Sequence, residues 1–199
     1  MSHPQWLRAG LAAALLSLAG LGSAQASATP LPPGSEVTAT LNGSAEAMLG
    51  SRAGFAALPG SNITPLRDDD LEFLSADYEL AVDLFSDGLI RLYDNSGTGQ
   101  WAGTRLLNLS FAGLLTPLGS VTLVDLSLLL SGSVQASLLD EHTLQLSLQD
   151  LQWLPGSDFA TLELQLNSAE LPEPGTLALL AAAAAAGLAR RRPRATPRR

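Results

Sequence analysis

Hydrophobic residues fall at every second position over several stretches of this chain. Leu80, Val82 and Leu84 share one face of the run Tyr78 to Phe85. Leu144, Leu146 and Leu148 alternate with Gln and Ser, and Leu162, Leu164 and Leu166 with Glu and Gln. A period of two marks half-buried antiparallel strands. Glu36–Leu41 (EVTATL) predicts an earlier strand. Ser86-Asp87-Gly88 predicts a hairpin turn, with Leu89 to Tyr93 as the return strand and Asp94-Asn95-Ser96-Gly97 as the turn that closes it. Val121 to Leu130 and Val134 to Leu139 predict a further pair joined by Ser131-Gly132-Ser133. Residues 101–115 (WAGTRLLNLSFAGLL) suit helix or strand, and the neighbouring strands favour strand. Residues 43–62 (GSAEAMLGSRAGFAALPGSN) suit a loop or a short helix. Roughly eight short strands at this spacing predict an all-β fold, an antiparallel β-sandwich.

The two ends break the pattern. Residues 9–21 form an apolar run after Arg8, followed by Ala24-Gln25-Ala26 and Ala26-Ser27-Ala28. Charge, apolar run and A-x-A sites in that order predict a secretory signal peptide, with Ala24 and Ala26 as the signal peptidase site and the cut after Ala26. Cleavage after Ala28 is the second choice, and an uncut anchor helix the alternative. The expected organisation is a signal peptide over 1–26 and a Gly/Ser/Pro-rich segment with one strand over 27–70. A sandwich body over 71–169 and a C-terminal segment over 170–199 complete it.

Charge sharpens this division. All 19 acidic residues lie between Glu36 and Glu173, whereas only four arginines (Arg52, Arg67, Arg91 and Arg105) lie in the same interval, a balance of −15. Such a body repels nucleic acid and anionic lipid headgroups, so no nucleic-acid partner is expected. The chain has no cysteine, which removes disulfides, thiol nucleophiles and cysteine metal sites.

Near the C-terminus, the prolines of Pro172-Glu173-Pro174 exclude helix interior and predict a short extended arm. Thr176 can cap a helix that starts at Leu177. Its apolar side chains include Leu177, Leu179, Leu180 and Leu188, and Arg190, Arg191 and Arg192 follow. The arginines suit a helix C-terminus and predict a cytoplasmic end. Gly175 to Ala189 would span about 22 Å as helix. A bilayer core is about 30 Å thick, so the run predicts a marginal, transient inner-membrane anchor.

This segment resembles the PEP-CTERM sorting signal of Gram-negative bacteria: a Pro-Glu-Pro motif, an apolar span and a basic cluster, over roughly the last 28 residues. The span here is short and Ala-rich, and the basic tail runs on to Arg199. The resemblance implies recognition by an exosortase-type transpeptidase, cleavage near Pro-Glu-Pro and delivery to the cell surface or extracellular matrix. It also implies association with exopolysaccharide and biofilm matrix. An ordinary tail anchor is the alternative.

Within the body few residues suggest chemistry. His142 is the only histidine left after signal cleavage, and its neighbours Asp140 and Glu141 predict a turn. No G-x-S-x-G elbow accompanies it. Residues 97–102 fit G-x-G-x-x-A without a βαβ context and read as a loop. Asp68, Asp69, Asp70 and Glu72 are the candidate ligands for Ca²⁺, the one cofactor considered, with a solvated acidic loop as the alternative. Asp83, Asp87 and Asp94 are a second set, if the hairpin ends meet. Trp101 and Trp153 are the candidate sugar platforms. The expected function is that of a non-enzymatic surface or matrix protein. The alternatives are a secreted carbohydrate-active enzyme using paired carboxylates, and a fibre subunit whose Leu/Gln/Ser strands zip edge to edge.

Overall fold

The computed structural model describes residues 31–154 and 161–169. The expected signal peptide, with Ala24 and Ala26, and the segment from Pro172 to Arg199 lie outside the described residues. The described chain is all-β, with two antiparallel sheets. Eleven strands run in chain order: β1 (Glu36–Leu41), β2 (Met48–Gly50), β3 (Ile63–Pro65), β4 (Phe73–Ser75), β5 (Leu80–Leu84), β6 (Leu89–Asp94), β7 (Gln100–Ala112), β8 (Leu118–Asp125), β9 (Leu129–Asp140), β10 (Thr143–Trp153) and β11 (Thr161–Ser168). The five-stranded sheet is ordered β3-β1-β7-β10-β9, and the six-stranded sheet β2-β4-β5-β6-β11-β8.

The alternation read from the sequence sets which face of each strand is buried. Ala39, Leu109, Leu144 and Leu138 form one cross-strand row of the five-stranded sheet. Val82, Leu92 and Leu162 form a row of the other. Residues of both rows meet in a single core with Phe73, Leu146, Leu164 and Leu166. Burying a side chain of this size removes about 1.5–3 kcal/mol of exposure cost. Such burial is the main support of a chain without disulfides.

Several expectations hold element by element. Glu36–Leu41 is β1, and residues 101–115 resolve as strand, with β7 ending at Ala112. The hairpin Leu80–Asp94 turns at Gly88, where φ is 88°, and Asp87 accepts the Leu89 N–H at 3.0 Å. Others need correction. Eleven strands replace the expected eight, and three of them exceed ten residues. Residues 31–70 contribute three strands spread over both sheets, together with core residues Leu31 and Leu66. The body therefore starts well before residue 71. Residues 43–62 are mostly loop, one of the two expected readings, with β2 and a 3-10 turn at Ser51–Ala53 set into it.

The pair expected over Val121 to Leu139 does not form as a hairpin at Ser131-Gly132-Ser133. Those three residues lie inside β9, and the chain turns at Leu126 to Leu128 instead. β8 and β9 then join different sheets. Gly132 marks a bulge rather than a turn. Its φ is 101°, and the β9–β10 register shifts between Gln149 and Gln152. Asp150 (φ 48°) on β10 and Gly103 (φ 78°) on β7 stand at the same level, and the Gly103 N–H donates to Asp150 Oδ1 at 2.8 Å. Three neighbouring strands thus kink together, as bulges do where a sheet must bend.

Candidate functional site

The outer faces of the two sheets differ in chemistry. On the six-stranded sheet Asp83, Arg91 and Glu163 stand opposite one another across β5, β6 and β11. Arg91 pairs with Glu163 at 2.7 Å and lies over the Phe85 ring, and the Tyr93 hydroxyl donates to Asp83 at 3.2 Å. Partial burial raises the Asp83 carboxyl above its ordinary range, against the lowering pull of Tyr93 and Arg91. This face is ionic.

The outer face of the five-stranded sheet carries hydroxyls and amides. Thr40, Asn108, Gln145 and Ser137 form one cross-strand row. Asn108 Nδ2 donates to Thr40 at 3.4 Å, and Gln145 Nε2 donates to Asn108 Oδ1 at 3.0 Å. Thr38, Ser110 and Thr143 form the next row, with the Ser110 and Thr143 hydroxyls 3.3 Å apart. Ser147 faces Gln135, and Gln149 faces Ser133. The charges nearest to these rows stand at corners: Glu36, paired with Arg52 at 2.8 Å, and Asp140. The signal for this face was present in the alternation, because every polar position between the leucines of β10 is Gln, Ser or Thr up to Gln149.

The acidic loop departs from expectation. Asp68, Asp69 and Asp70 are exposed, but Glu72 is 0% exposed. Its Oε1 accepts the Arg67 N–H at 2.8 Å and its Oε2 the Leu84 N–H at 2.7 Å. Burial pushes its carboxyl up to about 8, against the lowering effect of these two bonds. Glu72 is therefore a strap between the loop and β5, not a fourth oxygen ligand beside the three aspartates. Asp68 is used similarly, accepting the Ser86 N–H at 2.6 Å. Among the described residues no group of three or more acidic or histidine side chains is placed to hold a metal ion. The hairpin aspartates do not meet either. Asp87 sits at the turn, while Asp94 ends β6, about 17 Å of strand away.

Both candidate sugar platforms are buried. Trp101 and Trp153 are each 2% exposed and pack edge to face, with centroids 5.5 Å apart. Trp101 Nε1 donates to Asp94 Oδ1 at 2.9 Å, and Arg105 lies 5.5 Å above its ring. Arg105 also pairs with Asp77 and Glu79, clasping one sheet to the other. Burial tends to raise the Asp77 carboxyl, but the Ser75 hydroxyl, the Glu79 N–H and Arg105 together lower it. Trp101 and Trp153 thus fill the bend made by the bulges and offer no ring to a ligand. A β-sheet pairs alternate residues with opposite faces, and at both positions the sequence put an aromatic on the inner one.

His142 is exposed in the β9–β10 turn, where its N–H donates to Asp140 at 2.8 Å. Gly97 and Gly99 occupy a turn that leads into β7, not into a helix. A hollow of about 370 Å³ lies between Ala45, Glu46 and the loop Ala57 to Asn62. It holds one carboxylate, Glu46. Two further hollows, of about 380 and 200 Å³, hold Glu36 and Asp150, one each. A two-carboxylate glycosidase needs its second acid within about 10 Å across the same cleft. No family model, curated protein or solved structure matches this chain.

Proposed function

We propose that this is an exported, non-enzymatic surface or matrix protein, cut near Pro172-Glu173-Pro174 by an exosortase-type transpeptidase. The observation that carries this reading is the order of residues 172–192. Pro-Glu-Pro precedes a short apolar run, and arginines follow it. The arm presents its backbone to an enzyme, the run pauses the chain in the inner membrane, and the arginines hold the last residues on the cytoplasmic side. A signal peptide ending near Ala26 brings the chain to that membrane.

The body supports a binding or space-filling role in a hydroxyl-rich matrix. The rows through Thr40, Asn108, Gln145 and Ser137 present donors and acceptors without charge, which suits exchange of hydrogen bonds with exopolysaccharide. The acidic opposite side keeps the protein soluble and away from anionic surfaces.

The test is intact mass and location in cells with and without the transpeptidase. The expected result is an extracellular form lacking the residues after about Pro174. It should disappear when the transpeptidase is deleted or when Pro172 and Pro174 are both replaced by Ala. A full chain, arginines included, in the inner membrane of both strains would instead make the segment an ordinary anchor and overturn the reading.

A further inference from the structure

Four strands form the edges of the two sheets, and they are of two kinds. β2 and β3 have three residues each, too short to template a partner strand. β8 and β9 have eight and twelve, and they lie side by side at the same flank, joined by the turn at Leu126 to Leu128. Among the described residues no ladder joins β8 to β9, and none pairs with the outer side of β9. A long edge is normally blunted by lysine, proline or inward charge. β9 has none of these between Leu129 and Leu139, and its bulge at Gly132 lies outside the regular stretch from Ser133 to Leu138.

Its surroundings also lack charge. In a body with four arginines and 19 acids, residues 126–139 carry no charge at all. The apolar residues beneath are incompletely covered: Val121, Leu123, Val134, Ala136 and Leu138 are only partly buried. Leu130 and Leu139 are 53% and 55% exposed.

We infer that β9 pairs antiparallel with β9 of a second copy, about a two-fold axis near Ala136, joining two five-stranded sheets into one. Charge selects this occupant. Two copies carrying a balance of −15 repel where their charged faces approach, and an edge without charge lets them meet without that repulsion. The strand is also self-complementary. Its register with β10 runs without shift from Leu138 to Ser133, so the regular stretch is centred near Ala136. In that pairing Val134 faces the partner's Leu138 and Gln135 the partner's Ser137, which keeps the apolar row inside and the hydroxyl-amide row outside. Asp140 falls opposite Gly132, so no like charges oppose each other. A two-fold contact closes on itself, giving a dimer rather than a fibre. The inference is independent of how the chain is exported.

The experiment is sedimentation of the chain, as purified from its host, over a wide concentration range. A dimer is expected. The double variant Gln135→Lys/Ser137→Lys brings lysines face to face and should weaken self-association at least about tenfold, with the thermal midpoint of the monomer unchanged. Gln135→Glu/Ser137→Glu should do the same, and mixing the two variants should restore a mixed dimer. A monomer at every concentration would overturn the inference, as would a dimer that neither variant weakens. If the protein is monomeric and the backbone amides of β9 exchange as slowly as those of β10, the chain's own remaining segments cover the edge, which also overturns it.

Discussion

The flank around β5 and β6 and the flank around β8 and β9 are built from the same alternation of leucine with polar residues, yet they end differently. At β5 and β6 the apolar row is fully covered: Val82, Leu84, Ile90 and Leu92 are all 0% exposed. The polar row is ionic, with Asp83, Arg91 and Glu163 in line. At β8 and β9 the apolar row is half covered and the polar row is neutral except for Asp125 and Asp140 at the strand ends. Position in the sheet explains the difference. A strand between two neighbours has its inner row shielded from both sides, whereas an edge strand leaves one side open. Closure turns burial into stability, and openness leaves surface for a contact.

The comparison can be broken most severely in the closed region. Leu164→Ala removes a side chain that is 0% exposed and should destabilise the fold by about 3 kcal/mol or more, read by chemical denaturation. Val134→Ala, in the half-covered row of β9, should cost less than about 1 kcal/mol in the same measurement. Equal losses at the two positions would mean that the β9 flank is as closed as the β5–β6 flank.

Glu72 gives the next effect and adds a pH signature. Glu72→Ala leaves the Arg67 and Leu84 N–H groups without their acceptor and should cost about 3 kcal/mol at pH 5. The folded chain holds the Glu72 proton up to about pH 8, against an ordinary value of 4.5. Between those limits the native state binds more protons than the unfolded one, so this stabilisation is full below about 4.5 and is lost as pH rises through 8. The stability gap between the protein and Glu72→Gln should therefore shrink from pH 5 to pH 8. A gap that widens over that range would refute the burial of this group.

Gly132→Ala probes the bulge that shapes the open flank. An added Cβ would lie 2.6 Å from the carbonyl oxygens of Gln149 and Asp150, at a φ of 101° that disfavours any side chain. The expected loss is about 2 kcal/mol, with altered near-ultraviolet signals from Trp101 and Trp153 in the bend. A smaller effect belongs to Arg105→Met. It removes the clasp to Asp77 and Glu79 while keeping much of the contact over Trp101, and should cost about 1 kcal/mol.

The sequence by itself determined the longer alternating strands and their buried faces. Glu36–Leu41, the hairpin Leu80–Asp94 and the leucine rows of β10 and β11 were all legible, because alternation is a property of single strands and needs no partner. It also contained, in Gly103 and Gly132, the usual mark of a bulge inside a strand. Tertiary structure alone decided which strands become neighbours. β8 and β9 looked like a hairpin and joined different sheets, since a turn sequence fixes a bend but not what lies on either side of it. Tertiary structure also buried Glu72 and the two tryptophans. In each case the residue type allowed a surface role, and the deciding contacts came from residues far along the chain: Leu84 for Glu72, and the two tryptophans for one another. The hydroxyl-amide face follows the same logic. Its members were visible one strand at a time, but only the register of four strands set them in rows.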